Sequence, residues 1–179
     1  ARQVFERLLD TAAQANNWLD CSAILTNQSK WKEAQAAIDR ARKLLKKSNQ
    51  PHYHAHLLAR EGVLHLRLRN VGQALEYLLE ADKCFIGLKD GAELKDHHIH
   101  TLVLSSLGEL YDYRNQKVQS IEAYTRVLPI VEEHYLWPRL AWHYLNAGRM
   151  YMAQNNVQEA QMYFEKSLML ADSAGSDVR

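Results

Sequence analysis

Apolar residues recur along this chain at spacings of three and four, the period of a helix with one buried face. The pattern is clearest from Ala141 to Asp172, which reads as two helices joined by a tight turn. In the first, Tyr144, Ala147, Gly148 and Tyr151 share a face; Asn155 and Asn156 interrupt the period, as turn-tolerant residues do; then Val157, Ala160, Phe164, Ser167 and Leu168 restore it. Gly148 and Ala160 are small where Tyr151 and Phe164 are large. That contrast predicts two helices in close approach, with the aromatic residues filling the flanks.

The same arrangement occurs four times. Ser22, Gly62, Gly108 and Gly148 are the small residues of the first helices, and Ala34, Ala74, Ser120 and Ala160 follow each of them by twelve residues. Each unit opens on a large residue (Trp18, Leu58, Leu104, Tyr144), and each second helix carries Ile38, Leu78, Tyr124 or Phe164, followed three positions on by Ala41, Ala81, Val127 or Ser167. An ordinary helical bundle requires only an apolar stripe and sets no fixed offset between small residues. Over nearly its whole length the chain therefore resembles a tetratricopeptide-repeat array. The resemblance implies an all-α fold, a right-handed α-solenoid of about four antiparallel helix pairs, forming one domain over residues 1–179. The repeats fall at 11–50, 51–91, 92–136 and 137–173. Their small residues are 40, 46 and 40 apart, against about 34 in the standard repeat, a difference that longer helices would absorb. Such long repeats are similar to those of kinesin light chains, spindle-orientation adaptors, and bacterial peptide-sensing and transcriptional regulators.

In chain order, helices are expected at 12–27 and 30–47, 52–69 and 71–87, from Ala92 to about Arg114 and over 117–134, and from Trp137 onward. Ser29 is expected to cap the second helix, and Pro51 to begin the third, where a missing N–H costs least. Gly87, Asp90 and Gly91 break the pattern between the second and third units. Pro129 should kink its helix or end it near Leu128. Ala1, Phe5 and Leu8 are either the remnant of a preceding repeat or the start of a long first helix, and residues 174–179 form a frayed tail. The opening ARQVFERLL is neither a signal peptide nor a start methionine, which suggests a fragment of a longer protein.

Composition supports an all-helical reading, with seven glycines and three prolines among 179 residues. No apolar run approaches the ~20 residues needed to cross a membrane. Cys21 and Cys84 fall on apolar helix faces and are expected to be buried thiols, which fits a reducing compartment, the cytoplasm or nucleus. The net charge is only +1, but residues 28–70 carry ten Lys/Arg against three acids and residues 71–179 carry ten against fifteen. This polarity could orient a dipolar partner or favour head-to-tail contact. Arg40, Arg42, Lys43, Lys46 and Lys47 concentrate on one second helix, without the interleaved aromatic residues that single-strand binders use. Nucleic-acid binding is therefore the weakest of the functional alternatives.

In the family it resembles, first helices line a concave groove. Carried over by register, the groove would present Asn16, Leu19, Asp20, Ala23 and Asn27 from the first unit and His56, Arg60, Val63 and Arg67 from the second. The third would present Ser105, Glu109, Asp112 and Tyr113, and the fourth Trp142, Asn146, Arg149 and Met152. Aromatic, charged and amide groups together suit a peptide or helical segment of a partner protein. The lysine and asparagine cluster with which some members grip a chaperone's terminal carboxylate is replaced by Leu19, Ala59 and Ser105, which argues against that ligand. The recurring asparagine of peptide-holding adaptors survives only as Asn146, with Asp20, Arg60 and Ser106 elsewhere.

Two histidine clusters, around His52, His54 and His56 and around His97, His98 and His100, place His52 over His98 and His54 over His100 in register. These four are candidates for a weak transition-metal site, set against their reading as polar residues at two helix starts. There is no Gly-rich phosphate loop, HExxH or Cys–His constellation, and no cofactor is expected. The sequence thus points to a non-enzymatic interaction module. The alternative is a scaffold or oligomerisation segment of a larger regulator, self-associating through the exposed ends of its solenoid.

Overall fold

A computed structural model describes the backbone of residues 2–46, 50–88, 92–134 and 137–176, and the side chains of 11–46, 50–88, 92–134 and 140–171. Among these residues the fold is all-α, with eight helices and no strand. They are α1 (Arg2–Asn27), α2 (Trp31–Leu45), α3 (Pro51–Arg67), α4 (Val71–Leu88), α5 (Leu94–Tyr113), α6 (Lys117–Glu133), α7 (Trp137–Ala153) and α8 (Val157–Ser176). Consecutive helices pack as pairs, the helical-repeat architecture. Two compact units are distinguished, Ala1–Val103 and Leu104–Arg179, divided inside α5. No helix among the described residues is long and apolar enough to cross a membrane.

The turn inside each pair has one geometry, repeated four times. Ser29, Arg69, Asn115 and Asn155 all adopt the left-handed conformation, with φ between 57° and 61°. The N–H of the next residue reaches back five positions, Lys30 to Leu25, Asn70 to His65, Gln116 to Tyr111 and Asn156 to Tyr151, at 2.8–3.0 Å. This is the Schellman closure of a helix C-terminus. The same four residues then offer their carbonyls to Ala34, Ala74, Ser120 and Ala160, so one residue ends a helix and begins the next. Ser29 is accordingly not the N-cap of α2. That position is Lys30, which makes no side-chain cap bond.

Within three of the four pairs, the close approach depends on a missing side chain; in the first, the equivalent position is the buried Ser22. A Cβ added to Gly62 would lie 2.7 Å from the Leu78 side chain, one added to Gly108 2.6 Å from the Tyr124 ring, and one added to Gly148 2.6 Å from the Phe164 ring. The occupant of each gap is the residue sixteen positions on, and the small residue at twelve lies beside it: Ala160 O is 3.2 Å from the Gly148 position, and Ser120 Oγ donates to Gly108 O at 3.0 Å. Burial follows this register. In the first unit Ala15, Leu19, Ala34, Ile38, Ala41, Leu57 and Leu64 form a core lined by Trp18, Trp31 and Leu44. In the second, Leu104, Val127, Leu128, Val131, Leu140, Tyr144 and Ala147 form another, with Tyr163 and Leu170 against it.

The 46-residue spacing is resolved by helix length. α4 has 18 residues where α2 has 15, and α5 has 20 where α3 has 17. The six additional residues are thus divided between the two helices that meet there, and Gly87 lies inside α4 rather than in a break. Asp90 and Gly91 lie outside the described residues. Pro129 does not end its helix: α6 continues to Glu133 because Leu128, Ile130 and Val131 are held in the core on either side of it, while Pro129 itself faces out. Of the two readings of the N-terminus, one long helix from Arg2 is found. The side chains of Ala1, Phe5 and Leu8 lie outside the description, as do Lys47, the side chains of Trp137 and Pro138, and residues 177–179. Backbone helix reaches Ser176, so residues 174–176, expected in a frayed tail, belong to α8.

Two stability measurements test these contacts. Gly148→Ala should cost about 1–3 kcal/mol by forcing the Phe164 ring out of place, and Phe164→Leu in the same chain should recover part of that loss in urea unfolding. Arg69→Gly should stabilise the protein by up to about 1 kcal/mol, since an L side chain pays to hold the left-handed conformation. The readout is a higher thermal midpoint by circular dichroism.

Candidate functional site

The residues expected to line a binding face separate into an interior group and two surface groups. Leu19 lies in the core and Ser105 is buried. His56 is 2% exposed and therefore no surface liner. Its Nε2 is 2.7 Å from Asp96 Oδ1, while Asp96 Oδ2 accepts the backbone N–H of Glu93 at 2.7 Å, half of a capping box at the start of α5. Since the carboxylate accepts, Nε2 carries the hydrogen, and Nδ1 is buried with no hydrogen-bond partner. Burial drives the His56 imidazole down to about 4; Asp96 opposes the shift, and Lys95 and Arg60 add to it. Phe85 lies between His56 and His100, at ring distances of 5.9 and 5.1 Å, and His100 Nε2 pairs with Asp82 at 2.7 Å. Two of the six clustered histidines are thus held by aspartates across α3, α4 and α5. Of the four suggested metal ligands, His100 is in such a pair; His52 contacts Tyr53 and His56, His54 is exposed and His98 is half-buried. No group of three or more His, Cys, Asp or Glu able to hold a metal occurs among the described residues.

In the first unit the surface group is polar. Lys95 Nζ donates to Asn16 Oδ1 at 3.0 Å and to Asp20 Oδ2 at 2.8 Å, and Arg60 lies 3.6 Å from the other Asp20 oxygen. Asn16 and Asp20 from α1, Arg60 from α3 and Lys95 from α5 therefore form one cluster across three first helices. Three of the four follow from register. Lys95 does not, because it stands in the additional turn of α5, before the point where α3 begins. Asn27 and Arg67 are exposed at the last turns of α1 and α3. The basic second helix α2 is partly neutralised: Arg42 pairs with the buried Glu61 and with Asp39, and Arg40 lies 4.5 Å over the Trp18 ring.

In the second unit the surface group is apolar with charged flanks. Trp142, Leu145, Arg149 and Met152 fall on one stripe of α7, and the three apolar members are 49, 42 and 46% exposed. Tyr113, from the end of α5, is 66% exposed. Tyr124 reaches this region from α6, packed edge-on to Trp142 at 6.4 Å. Burial pushes its hydroxyl up to about 12, helped by Glu109 and Asp112 and opposed by Arg149, which places all three predicted charges around one phenol. Sequence pattern assigned Tyr124 only to packing, since its position marks the filler of the Gly108 gap. Asn146 is mostly buried and donates to Trp142 O at 2.8 Å, steadying the turn that carries the indole.

No family model matches the chain. Among solved structures it is similar to BtubC (BKLC) from P. vanneervenii, with a TM-score of 0.73 and 16% identity over 90% of this chain and 64% of that one. It is also similar to a signal-transduction ATPase with numerous domains (STAND) protein with a tetratricopeptide-repeat sensor from Pyrococcus horikoshii. That match has a TM-score of 0.69 and 14% identity over 92% of this chain and 25% of that one. At these identities the likeness is one of helical-repeat fold, and the chain spans under two thirds of the first protein and a quarter of the second.

The buried His56 gives a pH signature. Its pKa falls from 6.5 to about 4 on folding, so the unfolded chain binds the additional proton between those values. Stability should be full above pH 6.5 and decline toward pH 4, by about 3 kcal/mol at most. His65, lowered by burial, acts in the same direction. Urea unfolding at pH 7, 5.5 and 4.5 should show a smaller decline in His56→Gln than in the parent.

Proposed function

We propose that this chain is a tetratricopeptide-repeat-like interaction module that holds a peptide or helical segment of a partner protein against its first helices. It binds and does not catalyse. The observation that carries the reading is the α7 stripe of Trp142, Leu145 and Met152, large apolar side chains left in water on one face around Arg149. Apolar groups clustered in this way mark contact surfaces, and Trp beside Arg is the composition of a binding hot spot. Tyr113 would extend the apolar anchor, while Glu109, Asp112 and Arg149 would select charge along the bound segment. In the first unit, Asn16, Asp20, Arg60 and Lys95 supply hydrogen-bonding groups already ordered by one another, so little side-chain entropy is lost when a main chain is met. The STAND protein similar in fold carries its tetratricopeptide repeats as a sensor, which is in keeping with a recognition role.

Peptides selected from a random displayed library against the whole chain test the reading. Trp142→Ala combined with Met152→Ala should weaken the selected peptides at least tenfold, about 1.4 kcal/mol, with helicity and melting near the parent's. Peptides that bind the double variant as well as the parent would exclude the α7 stripe as the anchor.

A further inference from the structure

The first unit carries a surplus of positive charge where α1, α3 and α5 come together. One carboxylate, Asp20 of α1, faces two cations: Lys95 Nζ donates to Oδ2 at 2.8 Å, and Arg60 lies 3.6 Å from Oδ1. Arg67 follows Arg60 by two helical turns, on the same side of α3 and about 10 Å further along. Asp20 thus sets one negative charge against three positive ones. The other acids of the region are engaged elsewhere. Asp96 is buried on His56 and accepts the Glu93 N–H, Glu61 is buried and pairs with Arg42 of α2, and Glu93 acts on the Tyr53 hydroxyl.

The contacts of Asp20 are also easily exchanged. The Asp20 and Lys95 side chains are 46 and 38% exposed, and ion pairs so open to water contribute little to stability. Its distance from Arg60 exceeds the roughly 2.7–2.9 Å of a charge-assisted bond, so a carboxylate seated between Arg60 and Lys95 would meet both more closely. Beside this point Ala23 of α1 and Val63 of α3 occupy equivalent positions, half-buried, between Asp20 and Asn27 and between Arg60 and Arg67. Two small side chains on helices that pack directly give the face a low floor on which a main chain can lie.

We propose that this face binds an acidic segment of the partner protein, with one carboxylate taking the place of Asp20 between Arg60 and Lys95 and a second meeting Arg67. The proposal rests on the peptide-binding reading and names the chemistry of the peptide. Asp20 is then a built-in competitor, which holds the two cations in position and gives them up to the ligand. The ten Lys/Arg against three acids of residues 28–70 would draw such a segment in. Nucleic acid is the poorer fit, because Ala23 and Val63 offer no ring on which a base can stack.

Fluorescein-labelled octaglutamate should bind the whole chain in an anisotropy titration at low salt, weakening as salt rises, and octaglutamine should not bind. Arg60→Gln combined with Lys95→Gln should weaken octaglutamate roughly tenfold or more, and Asp20→Asn should strengthen it roughly threefold by removing the competitor. Lys43→Gln combined with Lys46→Gln takes the same charge from α2 and should leave the affinity near the parent's. Should the Arg60 variant melt early, Lys95→Gln and Arg67→Gln each give the same readout. No binding of octaglutamate, an equal loss in the α2 variant, or an affinity unchanged or lowered by Asp20→Asn would overturn the proposal. So would octathymidylate that binds as tightly and is lost in the same variants, which would make the face a general anion site. Library peptides that still depend on Trp142 and Met152 would then leave the interaction module standing without its acidic ligand.

Discussion

The structure rests on the absence of three β-carbons. Gly62, Gly108 and Gly148 let a second helix lie so close that the side chain sixteen residues on occupies the space above each glycine. Helix pairs are usually held by interdigitated ridges, in which one bulky residue can often be traded for another. Here the contact is between backbone and side chain, and the tolerance is much smaller. The left-handed residue at each turn fixes the second constraint, the direction in which the chain returns. Together these two conditions define three of the pairs, the first having the buried Ser22 in place of a glycine, and repetition of the pair produces the fold.

The hairpin was therefore legible from sequence in most of its detail. Small and large residues at fixed offsets are a one-dimensional record of backbone approach, and the four units could be registered without coordinates. What was less legible depends on neighbours that pattern does not name. Ser29 looks like a cap because serine commonly caps, but the Schellman closure claims it first, and Arg69 in the same conformation carries no compositional warning. Pro129 lacks the bond that would continue a helix, yet the core contacts of Leu128 and Val131 outweigh that loss. Cys21 lies on an apolar stripe, as a buried thiol should, and yet is exposed, with Ile24 on the same stripe 57% exposed.

Of the candidate site, placements set by register were legible in the sequence and contacts set by local chemistry were not. Asn16, Asp20 and Arg60 share a surface as their positions imply, and so do Trp142 and Arg149 on α7. His56 shares that register but turns inward, since Asp96 offers it a buried acceptor. Lys95 and Tyr124 join the surfaces from outside the expected set, one from a lengthened helix and one from a second helix.

That lengthened helix ties size to chemistry. Lys95 and Asp96 both belong to the turn by which α5 exceeds α3. The residues that make this repeat long also anchor Asp20 and hold the His56 imidazole. An α5 no longer than α3 would place neither carboxylate nor ammonium at this junction. Removing that turn would therefore take away the long period, the buried histidine–aspartate couple and the surface cation together.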